Sequence, residues 1–143
     1  MRRCADPDGF DAALDLGCGT GLCGPLLRPL ARHLTGLDLS AAMLGRARAT
    51  GVYDRLEQAD AAQFLAAISE RFDLVVAADV LIYIGDPGPL FAAAQRAMQR
   101  GLFAFTVEAA DNGEAGPVRH DQGRAVNGVY VVLRRLTAAE HPC

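Results

Sequence analysis

Ala13-Leu14-Asp15-Leu16-Gly17-Cys18-Gly19-Thr20-Gly21 carries an apolar run straight into three glycines at alternate positions, with an acid two residues ahead of the first. Glycine at such positions gives the backbone access to positive φ and lets a ligand approach the main chain without meeting a Cβ. The helix that follows offers unpaired N–H groups to the same ligand. A second acid, in Gly36-Leu37-Asp38-Leu39-Ser40, ends the next apolar run seventeen residues after Gly21. That spacing predicts one βαβ unit built to bind a nucleoside.

Working outward, strand and helix signals alternate to about residue 107. Phe10 to Leu16 reads as the first strand. A helix is expected over about 22–32, with Pro25 tolerated in its first turn and Pro29 bending it. Leu34 to Leu39 is the second strand, and Ser40 caps a helix to about Ala49 that carries Met43, Leu44 and Ala47 on one face and stops at Gly51. Leu56 to Ala59 is a short third strand, and Ala61 to Ser69 a helix presenting Phe64, Leu65 and Ile68. The near-continuous apolar run Phe72 to Ala77 suits a central parallel strand covered on both faces. After the loop Gly85-Asp86-Pro87-Gly88-Pro89, a helix marked by Leu90, Phe91, Ala94 and Met98 leads to a fifth strand, Leu102 to Val107. The order is that of an α/β fold. Beyond it, residues 111–123 are rich in glycine and charge. Residues 128–139 favour a helix, because Tyr130, Leu133 and Leu136 fall at helical spacing, although Val129, Val131 and Val132 pull toward strand.

At 143 residues and 51% hydrophobic composition, the chain fits one domain, 1–143, with enough length to bury a core. It has no run of eighteen uncharged apolar residues, and no apolar stretch follows Met1-Arg2-Arg3, so a cytoplasmic chain without a membrane partner is expected. A net charge of -3 disfavours nucleic acid as a partner. Cys4, Cys18, Cys23 and Cys143 form no C-x-x-C pair and have no histidines at ligand spacing, so no metal site is expected.

Leu14 to Gly21 resembles motif I of the class I, seven-β-strand, Rossmann-like S-adenosylmethionine-dependent methyltransferases. Gly36 to Ser40 is similar to the acidic motif after the second strand of that family, Ala59-Asp60-Ala61 to the motif after the third, and Phe72 to Asp86 to motif IV. The resemblance covers residues 10–108 and leaves 109–143 as a C-terminal segment. It implies a doubly wound α/β fold, with a mostly parallel sheet of order 3-2-1-4-5 between helical layers. The chain is short at its C-terminal end for this family. The usual last two strands are therefore expected to be missing, including the antiparallel one beside the fifth. A fifth strand left bare would be an adhesive edge. Its cover is expected from residues 110–143, from a second copy in a homodimer, or from a further domain.

The resemblance also implies S-adenosyl-L-methionine as cofactor, with in-line methyl transfer to a small-molecule or protein acceptor. Asp15 and the turn Gly17, Cys18, Gly19, Thr20 and Gly21 would hold the methionine end. Asp38, with Leu39 beside it, would accept both ribose hydroxyls, and Asp60 with Ala61 would meet the adenine amino group. Met43 would flank the adenine, as would Leu22 and Phe64. Asp79 faces the crevice at the end of the fourth strand, among the donor contacts and nearest the reacting centre. No dedicated base is evident. His120 is the histidine expected near the strand ends, whereas His33 falls at the opposite end of its strand. Each aspartate also has a plain reading as a helix cap or turn former. Tyr53 and Tyr83 read as half-buried packing with a solvated hydroxyl. Two other functions remain open: a module that binds the donor without turnover, and a nicotinamide-dependent oxidoreductase. The second is open because Gly19-x-Gly21-x-x-Gly24 with Asp38 also satisfies the dinucleotide fingerprint.

Overall fold

Apolar runs punctuated by glycine and proline make strands that need cover on both faces, and the chain supplies it by crossing over after each of the first four. The computed structural model describes residues 9–98, 101–108, 124–126 and 129–136. Among these the strands are β1 (Phe10–Leu16), β2 (Ala31–Asp38), β3 (Arg55–Gln58), β4 (Leu74–Ala77), β5 (Gly101–Glu108), β6 (Arg124–Val126) and β7 (Val129–Leu136). The helices are α1 (Gly24–Leu27), α2 (Ala41–Ala49), α3 (Ala61–Ala67) and α4 (Gly88–Ala97). They build one sheet of order β3-β2-β1-β4-β5-β7-β6. The first five positions are parallel, as expected, with Asp15 of β1 opposite Gly36 of β2 and Val76 of β4.

Alternation along β1 divides the core. Leu14 and Leu16 pack with Leu37, Val75, Ala77 and Phe103 under α3 and α4. Ala13 packs with Leu34 and Leu74 against Leu27 of α1, while Leu44 and Ala47 of α2 close over Cys18 beside Tyr53 and Leu56. On the α4 side, Phe91 meets Phe103 and Phe105 edge-on at 5.5 and 5.2 Å, a geometry favoured by ring quadrupoles.

Several expectations are corrected. The helix after the glycine turn is a single turn, Gly24–Leu27, followed by a 3-10 turn at Arg28–Leu30, and β2 begins already at Ala31. Pro25 sits in the first turn, where its missing N–H has no helical partner, but Pro29 cannot donate to the Pro25 carbonyl and its ring crowds that turn, so no longer α-ladder forms. The last two strands are not missing: β7 runs antiparallel to β5 from Gly101 opposite Leu136 to Glu108 opposite Val129, and β6 pairs outside it. Within 128–139, where a helix is expected, Val129–Leu136 is a strand, and the rest of that span lies outside the described residues. A full-length ladder with β5 satisfies eight residues of backbone, and this outweighs helical spacing in a segment where Val129, Val131 and Val132 already prefer extended backbone. The cover for β5 is thus the chain's own Val129–Leu136, one of the sources expected for it.

The N-terminal edge of the sheet is tied by Asp73, whose carboxylate accepts from the backbone N–H groups of Asp11 and Ala12, both at 2.8 Å. Its carbonyl accepts from Leu102 at 2.9 Å. A Cβ on Gly101 would lie 2.3 Å from that carbonyl oxygen. Gly101→Ala is expected to cost about 3 kcal/mol, because rigid backbone rather than a flexible side chain must give way. A thermal melt within a degree of wild type would contradict this. Among the described residues no helix is long and apolar enough to cross a membrane.

Candidate functional site

The carboxyl ends of β1, β2, β3 and β4 converge where an open α/β sheet presents its ligand crevice. Gly17, Gly19 and Gly21 all have positive φ, at 62°, 55° and 88°. The turn is anchored by Cys18 N–H donating to the Leu37 carbonyl at 2.9 Å and by Gly21 N–H donating to the Cys18 carbonyl at 2.9 Å. A side chain on Gly17 would strike Val80 Cγ2 at 2.4 Å, whereas one on Gly19 would meet nothing within 4 Å. One side of the turn is thus packed and the other faces open space, as a cradle for a ligand must. Thr20 is half-buried within it.

Asp38 stands at the end of β2. Its Oδ2 accepts from Gly19 N–H at 3.0 Å and its Oδ1 from Ser40 N–H at 2.9 Å. Each oxygen keeps a further acceptor site, because a carboxylate offers about four in all. Ser40 caps α2 through its hydroxyl, which accepts from Met43 N–H at 3.3 Å. Asp60 caps α3, accepting from Gln63 N–H at 3.0 Å, so the plain reading of this aspartate holds, and its exposed carboxylate retains free lone pairs beside half-buried Ala61. Leu39 is 67% exposed, Met43 41% and Leu22 84%, so apolar surface borders the acids. Phe64 instead packs against the core under α3.

Asp79 is the one described residue other than glycine with positive φ, at 54°. Its N–H donates to Thr106 Oγ1 at 2.7 Å, and the Thr106 hydroxyl donates back to Asp79 Oδ1 at 3.3 Å. Strained backbone of this kind persists only where its surroundings hold it, and it concentrates at functional sites. Thr106 gave no sequence signal, because it reads as an ordinary strand residue of β5.

Asp15 is buried, with 2% of its surface exposed. The Tyr53 hydroxyl donates to its Oδ2 at 2.6 Å. Burial drives the Asp15 carboxyl up to about 6, the Tyr53 hydrogen bond pulls it down, and Asp38 adds a smaller upward push. The same contact and burial raise the Tyr53 phenol, so the proton stays on tyrosine. The expectation of a solvated Tyr53 hydroxyl is therefore corrected. Burial, reinforced by Asp15, pushes the Cys18 thiol to about 12 and raises Cys23 as well, which leaves neither as a reactive thiolate. Tyr83, in contrast, is 84% exposed on the 3-10 turn Leu81–Tyr83 after Asp79. His120 lies outside the described residues, and His33 stays near the start of β2, with Nδ1 3.3 Å from the Asp11 carbonyl. A groove of about 480 Å³ between α3 and α4, bordered by Arg71 and Arg96, holds none of the candidate residues.

The structure thus brings Asp15, the glycine turn, Asp38 and Leu39 together around the β1 and β2 ends, and places Asp60 and Asp79 at the ends of the flanking strands. A sequence profile described as a methyltransferase domain matches residues 14–105, and the chain belongs to that family. It is 33% identical over 96 residues to a ubiquinone biosynthesis O-methyltransferase of Aromatoleum aromaticum, covering 64% of this chain and 41% of that one. Among solved structures it is similar to an S-adenosylmethionine-dependent methyltransferase from Clostridium acetobutylicum, at 32% identity and TM-score 0.62, over 70% of this chain and 44% of that one. It is also similar to the N-methyltransferase NodS of Bradyrhizobium japonicum in complex with S-adenosyl-L-homocysteine, at 27% identity and TM-score 0.60, over 68% and 53%. The chain spans less than half the length of the curated relatives it matches.

Proposed function

We propose that the chain binds S-adenosyl-L-methionine at the β1–β2 end and directs methyl transfer to a small-molecule or protein acceptor. The observation that carries this reading is the Asp38 carboxylate, clamped to Gly19 N–H at 3.0 Å while its remaining lone pairs stay available. Paired ribose hydroxyls match such a carboxylate, and the open face at Gly19 leaves the backbone bare for the ligand. Asp15 would meet the ammonium group and Asp60 the adenine amino group, while Leu39 and Met43 offer apolar surface to the base. A dinucleotide fits less well. A pyrophosphate draws on the aligned dipoles of a helix N-terminus, and α1 has four residues, with Pro25 removing a donor.

When bound, the donor supplies an electrophilic methyl group on a sulfonium. An acceptor atom held in line with that methyl group would take it with the carbon–sulfur electron pair passing to the sulfur of the departing S-adenosylhomocysteine. The residues' task is positioning, which contributes on the order of 7–11 kcal/mol when reactants are well held. Asp79, fixed by Thr106, is the carboxylate we place nearest the acceptor. His120 remains a proposed base for acceptors that must lose a proton, and a cytoplasmic setting belongs to the same proposal.

Calorimetric titration with S-adenosylmethionine, S-adenosylhomocysteine and NAD tests the reading. Micromolar affinity for both sulfur ligands and none for NAD is expected. Affinity for NAD alone would reinstate the oxidoreductase, and binding without turnover on any acceptor would favour the donor-binding module.

A further inference from the structure

Three glycines on three different segments make room for one ring. A Cβ on Gly21 would lie 3.1 Å from Tyr53 Cε2, one on Gly24 2.9 Å from Cε2 and Cζ, and one on Gly36 2.9 Å from Cε1. Gly36 sits in the middle of β2, directly opposite Asp15. A glycine inside a strand pattern often marks the close approach of another group, and here the groups are Leu56 Cδ2, at 2.7 Å from such a Cβ, and the Tyr53 ring. The loop that carries it is pinned on both sides. Arg28 donates to the Val52 carbonyl at 3.1 Å and to the Asp54 carboxylate at 2.6 Å. That carboxylate also accepts from Leu34 N–H at 2.7 Å, and Asp54 N–H donates to the Leu34 carbonyl at 2.9 Å. The ring therefore enters from a rigid loop, through a gap cleared of side chains, and ends with its hydroxyl 2.6 Å from Asp15 Oδ2.

We propose that Tyr53 is a positioning residue of the donor site, whose hydroxyl fixes the Asp15 carboxylate for the donor's ammonium group. This rests on the donor reading above. An isolated carboxylate with 2% exposure would take up a proton and lose its attraction for a cation, and a neutral donor with no charge of its own opposes that without cancelling the attraction. Among the described residues the ionisable groups that bear on Asp15 are few. Asp38 repels its charge from the end of β2, and Cys18 and Cys23 stay protonated on the α1 side. Tyr53 is the hydrogen-bond donor that favours the charged form.

The experiment uses the full chain and Tyr53→Phe, which keeps the ring and removes the hydroxyl. Carbon-detected NMR titration of the Asp15 carboxyl, without ligand, is expected to show a midpoint near 6 in wild type and about one pH unit or more higher in Tyr53→Phe. Calorimetry with S-adenosylhomocysteine should then show an affinity loss of about fivefold or more near pH 6 that shrinks to about twofold or less near pH 8.5, where both carboxyls are ionised. In an Asp15→Asn background, removing the hydroxyl should have no pH-dependent effect, because the residue it acts through is gone. An unchanged Asp15 midpoint, or the same loss of affinity at every pH, overturns the proposal and leaves Tyr53 as packing. A wild-type chain that titrates as expected but binds neither sulfur ligand overturns the donor reading, and this proposal with it.

Discussion

Asp38→Ala is expected to weaken binding of S-adenosylmethionine by at least about a hundredfold. On the proposed donor reading two charge-assisted hydrogen bonds to a ribose diol would be lost, each worth about 1.5–3 kcal/mol, so even the lower figures together exceed two decades of affinity. The substitution also frees the backbone N–H groups of Gly19 and Ser40, which the carboxylate holds at 3.0 and 2.9 Å. The glycine turn then keeps only the Cys18 N–H bond to the Leu37 carbonyl as its described tie to β2. Because both groups lie near solvent, water replaces the carboxylate, and the cost to folding should be about 1 kcal/mol. Asp38→Asn keeps one oxygen for a single N–H and should fall between the two. Calorimetry beside a thermal melt separates the effects. Affinity within threefold of wild type would remove Asp38 from the donor site and, with it, the observation on which the functional proposal stands.

Asp15→Asn is expected to move stability and binding in opposite directions. The folded carboxyl keeps its proton up to about pH 6, whereas the unfolded one releases it near 3.8. Between those values the native state binds more protons than the unfolded chain, so stability falls as pH rises through the window. Above it the ionised, buried carboxylate costs the fold up to about 3 kcal/mol relative to its neutral form. Asparagine cannot ionise. The variant should therefore melt several degrees above wild type at pH 7 to 8, and the difference should vanish below about pH 4. Donor affinity at neutral pH should drop by about tenfold or more, because the charge that attracts the ammonium group is gone. Such a pairing of higher stability with lost function is the mark of a residue kept for its site. A variant less stable than wild type at neutral pH would show instead that the Asp15 carboxylate serves the glycine turn.

The glycine turn and its acids were legible because their chemistry is local. Gly17, Gly19 and Gly21 need positive φ, and a strand must end before them, so spacing alone located the β1 end and its partner Asp38. Ser40 and Asp60 were readable as caps for the same reason, since a cap acts within three residues. Tyr53 was not legible. Its partner Asp15 is thirty-eight residues away, and the space for its ring is made by Gly24 and Gly36, which sit on other elements. The isolated glycine at position 36 was the available clue. Thr106 is not legible either, because its bond joins β5 to the turn after β4, twenty-seven residues away.

The carboxyl-terminal region shows the limit most clearly. Tyr130, Leu133 and Leu136 satisfy helical spacing, yet Val129–Leu136 is a strand because β5 offers it a complete antiparallel ladder. Local sequence by itself determined the βαβ order, the glycine turn and the placement of the carboxylates beside it, since these depend on backbone conformation and period within a few residues. Only the tertiary structure decided what closes the fifth strand, which tyrosine supports Asp15, and how burial sets that carboxyl near 6. Each of those depends on groups that the chain brings together only once the sheet has formed.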